Sequence, residues 1–336
     1  MGNFRIILLA ILSIILFACK KNEVNIVKLE GYAQGTTYHI AYVDEQKRSF
    51  KRQIDSLLIV IDNSLSTYQK NSFVSLINNE NDSLYIVKDE LFKEVFLASK
   101  RVYEASGGLF DPTVAQLINA WGFGFENYKK EADTAFIDSL TKMVGFNKFE
   151  LRNDTLFVPK NLKLDFNAIA QGFSVDFVGK FLEANGIENY MVEIGGELKA
   201  IGRKSKTDKW RIGIDKPIDT LKHRELQFVI ELEDEAMATS GNYRKYYVKN
   251  GVKYSHTVNP KTGYPVTHNL LSATVITKEC VYADAYATVF MVMGLEKSKA
   301  FLSKHPEIKA MLVYDDNGVL STYFTEGLKQ RVKEVN

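Results

Sequence analysis

Hydrophobic residues along this chain recur at two periods that come in blocks, and this arrangement constrains the fold more than any other feature. Val27, Leu29, Tyr38, Ile40 and Tyr42 alternate at the period of a half-buried strand around Ala33-Gln34-Gly35-Thr36, which predicts an opening β-hairpin. Ile54, Leu57, Leu58 and Ile61 then follow at helical spacing, as do Leu91, Val95, Ala98 and Val102, the second run stopping at Gly107-Gly108. Asp111-Pro112 supplies N-cap and first-turn residues for a further helix burying Val114, Leu117, Ile118 and Trp121, and Asp133 caps another that ends at Gly145. The second half is richer in strands: a hairpin around Asn153-Asp154, buried strands over Tyr190–Ile194, Trp210–Asp215 and Leu271–Thr277, and a closing hairpin across Asp316-Asn317-Gly318. Ala168–Leu182 and Val281–Met293 are its clear helices. Blocks without regular βαβ alternation predict an α+β fold over a doubly wound sheet.

Composition agrees with one compact body. The 336 residues are 46% hydrophobic and 25% charged with only six prolines, and no repeat of 20 to 50 residues is present. Charges of both signs are interspersed around a net +2, so no basic surface exists to hold a phosphate backbone, and nucleic acid is not an expected partner.

The N-terminus departs from this pattern. Arg5 precedes an apolar run from Ile6 to Ala18, too short to span a membrane, that reads as the core of a secretory signal peptide covering residues 1–18. Leu16-Phe17-Ala18-Cys19 resembles the bacterial lipobox, which implies cleavage before Cys19, lipidation of that cysteine and a tether over residues 19–30. Several acyl chains anchor a protein durably where one does so marginally. The expected location is the extracytoplasmic, periplasmic face of a bacterial membrane. Lipidation of Cys19 leaves Cys280 alone, so no internal disulfide is expected and the fold must rest on its core.

Three segments carry chemistry. In Cys280-Val-Tyr-Ala-Asp-Ala-Tyr-Ala-Thr288, Asp284 and Thr288 are four apart on a helix and share a face among alanines. Few hard oxygen ligands of this kind suit Mg²⁺, which retains waters and takes substrate phosphate; an exposed polar pair on a surface helix has the same spacing. In Leu164-Asp-Phe-Asn-Ala-Ile-Ala-Gln-Gly172 a strand is expected to end at Asp165 and turn into a helix near Ala168, where free backbone groups meet phosphate or metal, although Asp165 also fits an N-cap. Tyr254-Ser-His-Thr-Val-Asn-Pro-Lys-Thr-Gly-Tyr-Pro265 sets His256 beside a Pro/Gly-punctuated loop as a candidate acid, base or phosphate donor, or as a structural histidine.

Taken together with Gly35-Thr36, Ser66-Thr-Tyr68, Gly107-Gly-Leu-Phe-Asp-Pro-Thr113, Gly195-Gly196 and Thr239-Ser-Gly-Asn-Tyr243, these segments resemble, in order, the ApbE-type flavin transferases over about Gly31 to Gly294. The resemblance implies an ApbE-like, T-fold-like α+β catalytic domain over residues 31–336. It implies Mg²⁺ held by the side chains of Asp284 and Thr288 and the carbonyl of Ala168. It also implies FAD lying against Gln34, Tyr68, Leu109, Phe110, Asp111, Asp165, Gln171 and Val258. Three positions depart from the family's usual residues: Gln34 stands where methionine is common, Asn259 where aspartate is common, and Gln171 where a charged residue is frequent.

The implied reaction transfers the FMN half of FAD to a Ser/Thr hydroxyl of an exported acceptor protein and releases AMP. Phosphoryl chemistry demands positioning and charge neutralisation more than covalent help. His256 and Asp284 are the catalytic candidates for taking the hydroxyl proton, and the sequence does not rank them. An FAD pyrophosphatase giving FMN and AMP would use the same site on water, and a non-catalytic flavin-binding lipoprotein is the remaining alternative.

Overall fold

The computed structural model describes residues 24–80, 82–124, 133–217, 225–242, 246–249 and 252–335, with 246–249 and 252–255 described by their backbone alone. The signal segment 1–18 and Cys19 lie outside the described residues. An eight-stranded sheet organises the chain: β1 (Ile26–Ala33), β2 (Thr36–Val43), β3 (Tyr190–Ile194), β4 (Glu197–Ile201), β5 (Glu235–Gly241), β6 (Leu270–Thr277), β7 (Lys309–Asp316) and β8 (Val319–Phe324). Every neighbouring pair is antiparallel, and spatial order equals chain order. In the first hairpin Gln34 and Gly35 have φ of 53° and 74°, the doubly positive turn whose twist matches the strands. β1 begins at Ile26, so residues 26–30 of the stretch 19–30 read as tether belong to the sheet.

Helices enter this meander as insertions. α1 (Lys51–Leu65), α2 (Glu90–Ala105) and α3 (Ala170–Ala184) lie between β2 and β3, and α4 (Cys280–Met293) lies between β6 and β7. Ile54, Leu58 and Ile61 form the buried stripe of α1. On α2 the buried stripe is Phe92, Val95, Phe96, Ser99 and Val102, set one residue on from the Leu91/Ala98 spacing because the two phenylalanines join an aromatic cluster with Phe73, Phe146 and Phe166.

Both faces of the sheet are covered, which explains why its middle strands read as continuous apolar runs. Tyr38, Ile40, Tyr190, Val192, Ala238, Val275 and Leu312 face the helices, whereas Leu198, Met237, Ile276, Met311 and Val313 pack on Trp210, Ile212, Phe228 and Ile230 of a separate three-stranded sheet. Burial of a side chain of this size contributes roughly 1.5–3 kcal/mol. Cys280 is buried and not disulfide-bonded, so this double-sided core carries the stability of the described chain.

Helix α4 sits between the sheet and α2 and α3, in contact with β5 and β6. Its buried residues run right round it, including Ala283, Asp284, Ala285, Ala287 and Val289. The surface-helix alternative for Asp284 is thereby overturned. The first turn of α4 has no side-chain cap of its own, since Glu279 supplies none. Asp176 of α3 serves instead, accepting the Val281 backbone amide at 2.9 Å while pairing with Lys199 of β4 at 3.1 Å. A carboxylate at a helix N-terminus satisfies free amides and complements the dipole, so this buried network fixes where α4 begins.

Candidate active site

Asp284 projects from α4 into the seam with α3, where its Oδ2 accepts the Gly172 backbone amide at 3.0 Å. The helices approach so closely that a Cβ on Gly172 would lie 2.7 Å from the Asp284 Cβ and press on the Cys280 carbonyl. Only glycine leaves that amide within reach of the carboxylate. Burial pushes the Asp284 carboxyl up to about 7, with the Gly172 amide opposing the shift.

A second buried carboxylate faces the same place. Glu197, at the start of β4 and directly after Gly195-Gly196, is 8% exposed. Burial, followed by the charge of Asp284, raises its pKa well above the ordinary carboxylate range. Sequence reasoning noted the glycine pair and missed this residue, because the 87 positions separating it from Asp284 carry no periodic signal. Thr288, one turn beyond Asp284, meets Ser240 of β5 at 3.4 Å between hydroxyls, which brings the Thr239–Asn242 motif to the same helix.

The segment before α3 differs from expectation. Residues 162–166 form no strand, and the helix starts at Ala170, so Ala168 lies in the preceding turn four residues ahead of Gly172. Asp165 is not the N-cap: its Oδ1 accepts the Asn167 amide at 2.8 Å, closing a local turn, and the helix is entered from Ile169 without a side-chain cap. Asn78 clamps this stretch from the helix Phe73–Asn79 by a reciprocal pair of hydrogen bonds with the Leu164 backbone, at 2.7 and 2.8 Å. Burial raises Asp165 to about 6, with the Asn167 amide opposing the shift.

The proposed flavin contacts divide into two groups. Gln34, in the hairpin turn, donates to Ser174 of α3 at 2.8 Å, and Gln171 lies against Gly195 and Thr36, with its Nε2 2.6 Å from where a Gly195 Cβ would be. The Gly35-Thr36 and Gly195-Gly196 motifs therefore meet over the N-terminal turn of α3. The second group is the loop after α2. There the Asp165 amide donates to the Pro112 carbonyl at 2.7 Å, and Lys261 sits beside Gly108 and Asp111.

Some side chains are already engaged. Asp111 accepts the Thr113 amide at 2.8 Å, the Thr113 hydroxyl at 2.6 Å and the Phe146 amide at 3.3 Å, so its carboxylate staples two loops together. It also does not begin the following helix, which runs only over Ala115–Ala120. Phe110 and Val258 are core side chains, and what they offer a ligand is backbone; Leu109 between the glycines and Phe110 is half-buried. His256 is half-buried at the end of the hairpin strand Val252–Ser255, ahead of a loop pinned by Trp121 Nε1 donating to the Gly263 carbonyl at 2.7 Å.

Among the described residues no three His, Cys, Asp or Glu side chains converge as a metal-binding group. The donors in this seam are carboxylate, hydroxyl and carbonyl oxygens. The charge of Asp284 raises the pKa of Glu197, so a cation beside these buried carboxylates would favour their ionised forms, and the oxygen-only donor set suits a hard one such as Mg²⁺.

A family model described as the ApbE family matches residues 34–312. The FAD:protein FMN transferase of Vibrio cholerae is 36% identical over 318 residues, covering 93% of this chain and 94% of that one. Its counterpart in Haemophilus influenzae is 34% identical, covering 91% of each. Among solved structures, the flavin transferase ApbE from Vibrio cholerae superposes with a TM-score of 0.82 at 32% identity, covering 92% of this chain and 99% of that one. The Pseudomonas stutzeri flavinyl transferase ApbE in its apo form gives a TM-score of 0.82 at 32% identity, over 92% and 97%.

Proposed function

The chain belongs to the ApbE family, and from that membership we infer that it is an FAD:protein FMN transferase, an enzyme moving FMN from FAD onto protein. We further propose that the reaction depends on Mg²⁺ held by Asp284, Thr288 and the Ala168 carbonyl, and that the acceptor is a Ser or Thr hydroxyl of an exported protein. The observation that carries the reading is the buried Asp284, fixed by the Gly172 amide at the junction of α3 and α4. A carboxylate held this way in low dielectric is expensive unless it meets a cation.

When bound, Mg²⁺ would neutralise pyrophosphate charge as the bond to AMP breaks. The chain's own groups do the remaining work. Gln34, Gln171 and Tyr68, with the backbone at Leu109, Phe110 and Val258, would bind the FAD. The acceptor oxygen forms the new bond to the FMN phosphorus, AMP departs with the pyrophosphate oxygen, and the hydroxyl proton passes to a base. His256 is the proposed base, because Asp284 is committed to the cation. Incubating the protein with FAD, Mg²⁺ and a candidate acceptor, then weighing the acceptor, tests the reading. The expected product is heavier by one FMN, with equimolar AMP, and the gain vanishes when the acceptor Ser/Thr is replaced by Ala. AMP matched by free FMN, with every exported acceptor tested unmodified, favours the pyrophosphatase reading.

Attachment to the extracytoplasmic face of a membrane through lipidated Cys19 is part of the same proposal. Among the described residues no helix is long and apolar enough to cross a membrane. Cys19→Ala is expected to leave the protein unprocessed or soluble, whereas the parent fractionates with membranes and its N-terminal peptide carries acyl mass. An unacylated parent that washes off in buffer removes the lipid anchor.

A further inference from the structure

We propose that Glu197 is a second carboxylate of the cation site, balancing the charge of the bound cation together with Asp284. The inference rests on the reading of Asp284 as a metal ligand and extends it to a residue from a different part of the chain. Three observations carry it. Glu197 is buried, and its Oε2 is sealed from solvent without a hydrogen-bond donor among the described residues. A buried oxygen left in that state costs about 1–3 kcal/mol, and more where charge is involved, so its retention calls for a ligand.

Second, the neighbours that act on it electrostatically are acidic: Asp284 first, then Glu193. Lys199, two residues along the same strand, is paired with Asp176 at 3.1 Å. Glu193 is engaged elsewhere, accepting the Gly196 amide at 2.8 Å and facing His39 at 2.7 Å. Third, the backbone around Glu197 is built to hold it. Gly195 and Gly196 have φ of 69° and 116°, and this tight turn starts β4 with Glu197 paired to Ile194 across the hairpin. The side chain is thus anchored at a strand terminus, against the helix that carries Asp284. Two anchored carboxylates with no cationic side chain shared between them among the described residues fit a divalent cation, and a site of that net charge holds Mg²⁺ more tightly than Asp284 alone.

Glu197 acts here as a positioning and charge-balancing residue, and its test must read the metal directly. Calorimetric titration of MgCl₂ into the FAD-free protein compares the parent with Glu197→Gln, which keeps the shape and removes the charge. The expected loss of Mg²⁺ affinity is on the order of 10- to 100-fold. Glu197→Asp should recover part of it, because charge is restored on a shorter arm. Thermal melts separate this from a purely structural role. Metal-free Glu197→Gln should melt no lower than the parent while its Mg²⁺-induced rise in Tm shrinks; a structural role would lower the metal-free Tm and leave the rise intact. Parental Mg²⁺ affinity in Glu197→Gln, with the parent itself binding and Asp284→Ala not, overturns the role of Glu197 and leaves the Asp284 reading standing. A parent that takes up no Mg²⁺ overturns both.

Discussion

Replacing Asp284 by asparagine lowers FMN transfer by on the order of 10³-fold or more while the protein stays folded. The magnitude follows from the several kcal/mol that a bound metal contributes to phosphoryl chemistry, at about 1.4 kcal/mol per tenfold in rate. Asparagine is the sharper probe than alanine because its carbonyl still accepts the Gly172 amide, 3.0 Å away in the parent, so the helix seam survives and only the charge is lost. Alanine removes the acceptor too and leaves a buried amide unsatisfied, adding about 1–3 kcal/mol of destabilisation to the loss of activity. Metal-free stability moves the opposite way. Burial raises the folded-state pKa of Asp284 to about 7, so the ionised form is disfavoured by folding, and metal-free stability falls as pH climbs from the ordinary carboxylate range through about 7. Asp284→Asn should flatten that fall. For transfer the sign reverses: metal uptake must displace a proton, so the parent's rate at limiting Mg²⁺ declines as pH drops below about 7. Full turnover in Asp284→Asn, or in EDTA, would sink the metal mechanism.

The features legible in the sequence are those whose physics is local. Asn153-Asp154 and Asn317-Gly318 are hairpin turns with positive φ at both positions, and the Asn/Asp/Gly chemistry that permits this is visible residue by residue. Asp133 caps its helix at the Phe136 amide, as the spacing predicts. Errors arise where a distant partner takes over. Asp111-Pro112 has the composition of a helix start, yet Asp111 is drawn off by Thr113 and by Phe146, and the helix begins at Ala115. The stripe of α2 shifts because Phe92 and Phe96 have aromatic partners from other segments. Strand order was likewise out of reach, since β2 pairs with β3 across about 150 residues of insertion. At the candidate site, the i,i+4 spacing puts Asp284 and Thr288 on one helical face but does not by itself separate them from a surface pair. Asp176, Glu197 and Asn78 carry no such spacing, because each works through a partner on another element.

His256→Ala slows transfer on the order of 10²- to 10⁴-fold while FAD affinity changes far less, if the imidazole takes the acceptor proton. The burial of Asp284 bears on this assignment. A carboxylate that holds a cation beside a second carboxylate has its lone pairs engaged, and Gly172 already occupies one oxygen. His256 is half-buried at the foot of a hairpin, on a separate element from α4, so its loss should leave Mg²⁺ affinity at the parental level. That split distinguishes it from Asp284→Asn, in which rate and metal affinity fall together. Product analysis completes the test, because an acceptor hydroxyl held near phosphorus has already lost its translational freedom and outcompetes water. In the parent, acceptor peptide should divert FAD turnover from free FMN to peptide-bound FMN. In His256→Ala the peptide-bound share should fall most, since the bound hydroxyl no longer loses its proton. An unchanged rate, or an equal loss of transfer and of Mg²⁺ binding, would move His256 out of the proton-transfer role and back to a structural one.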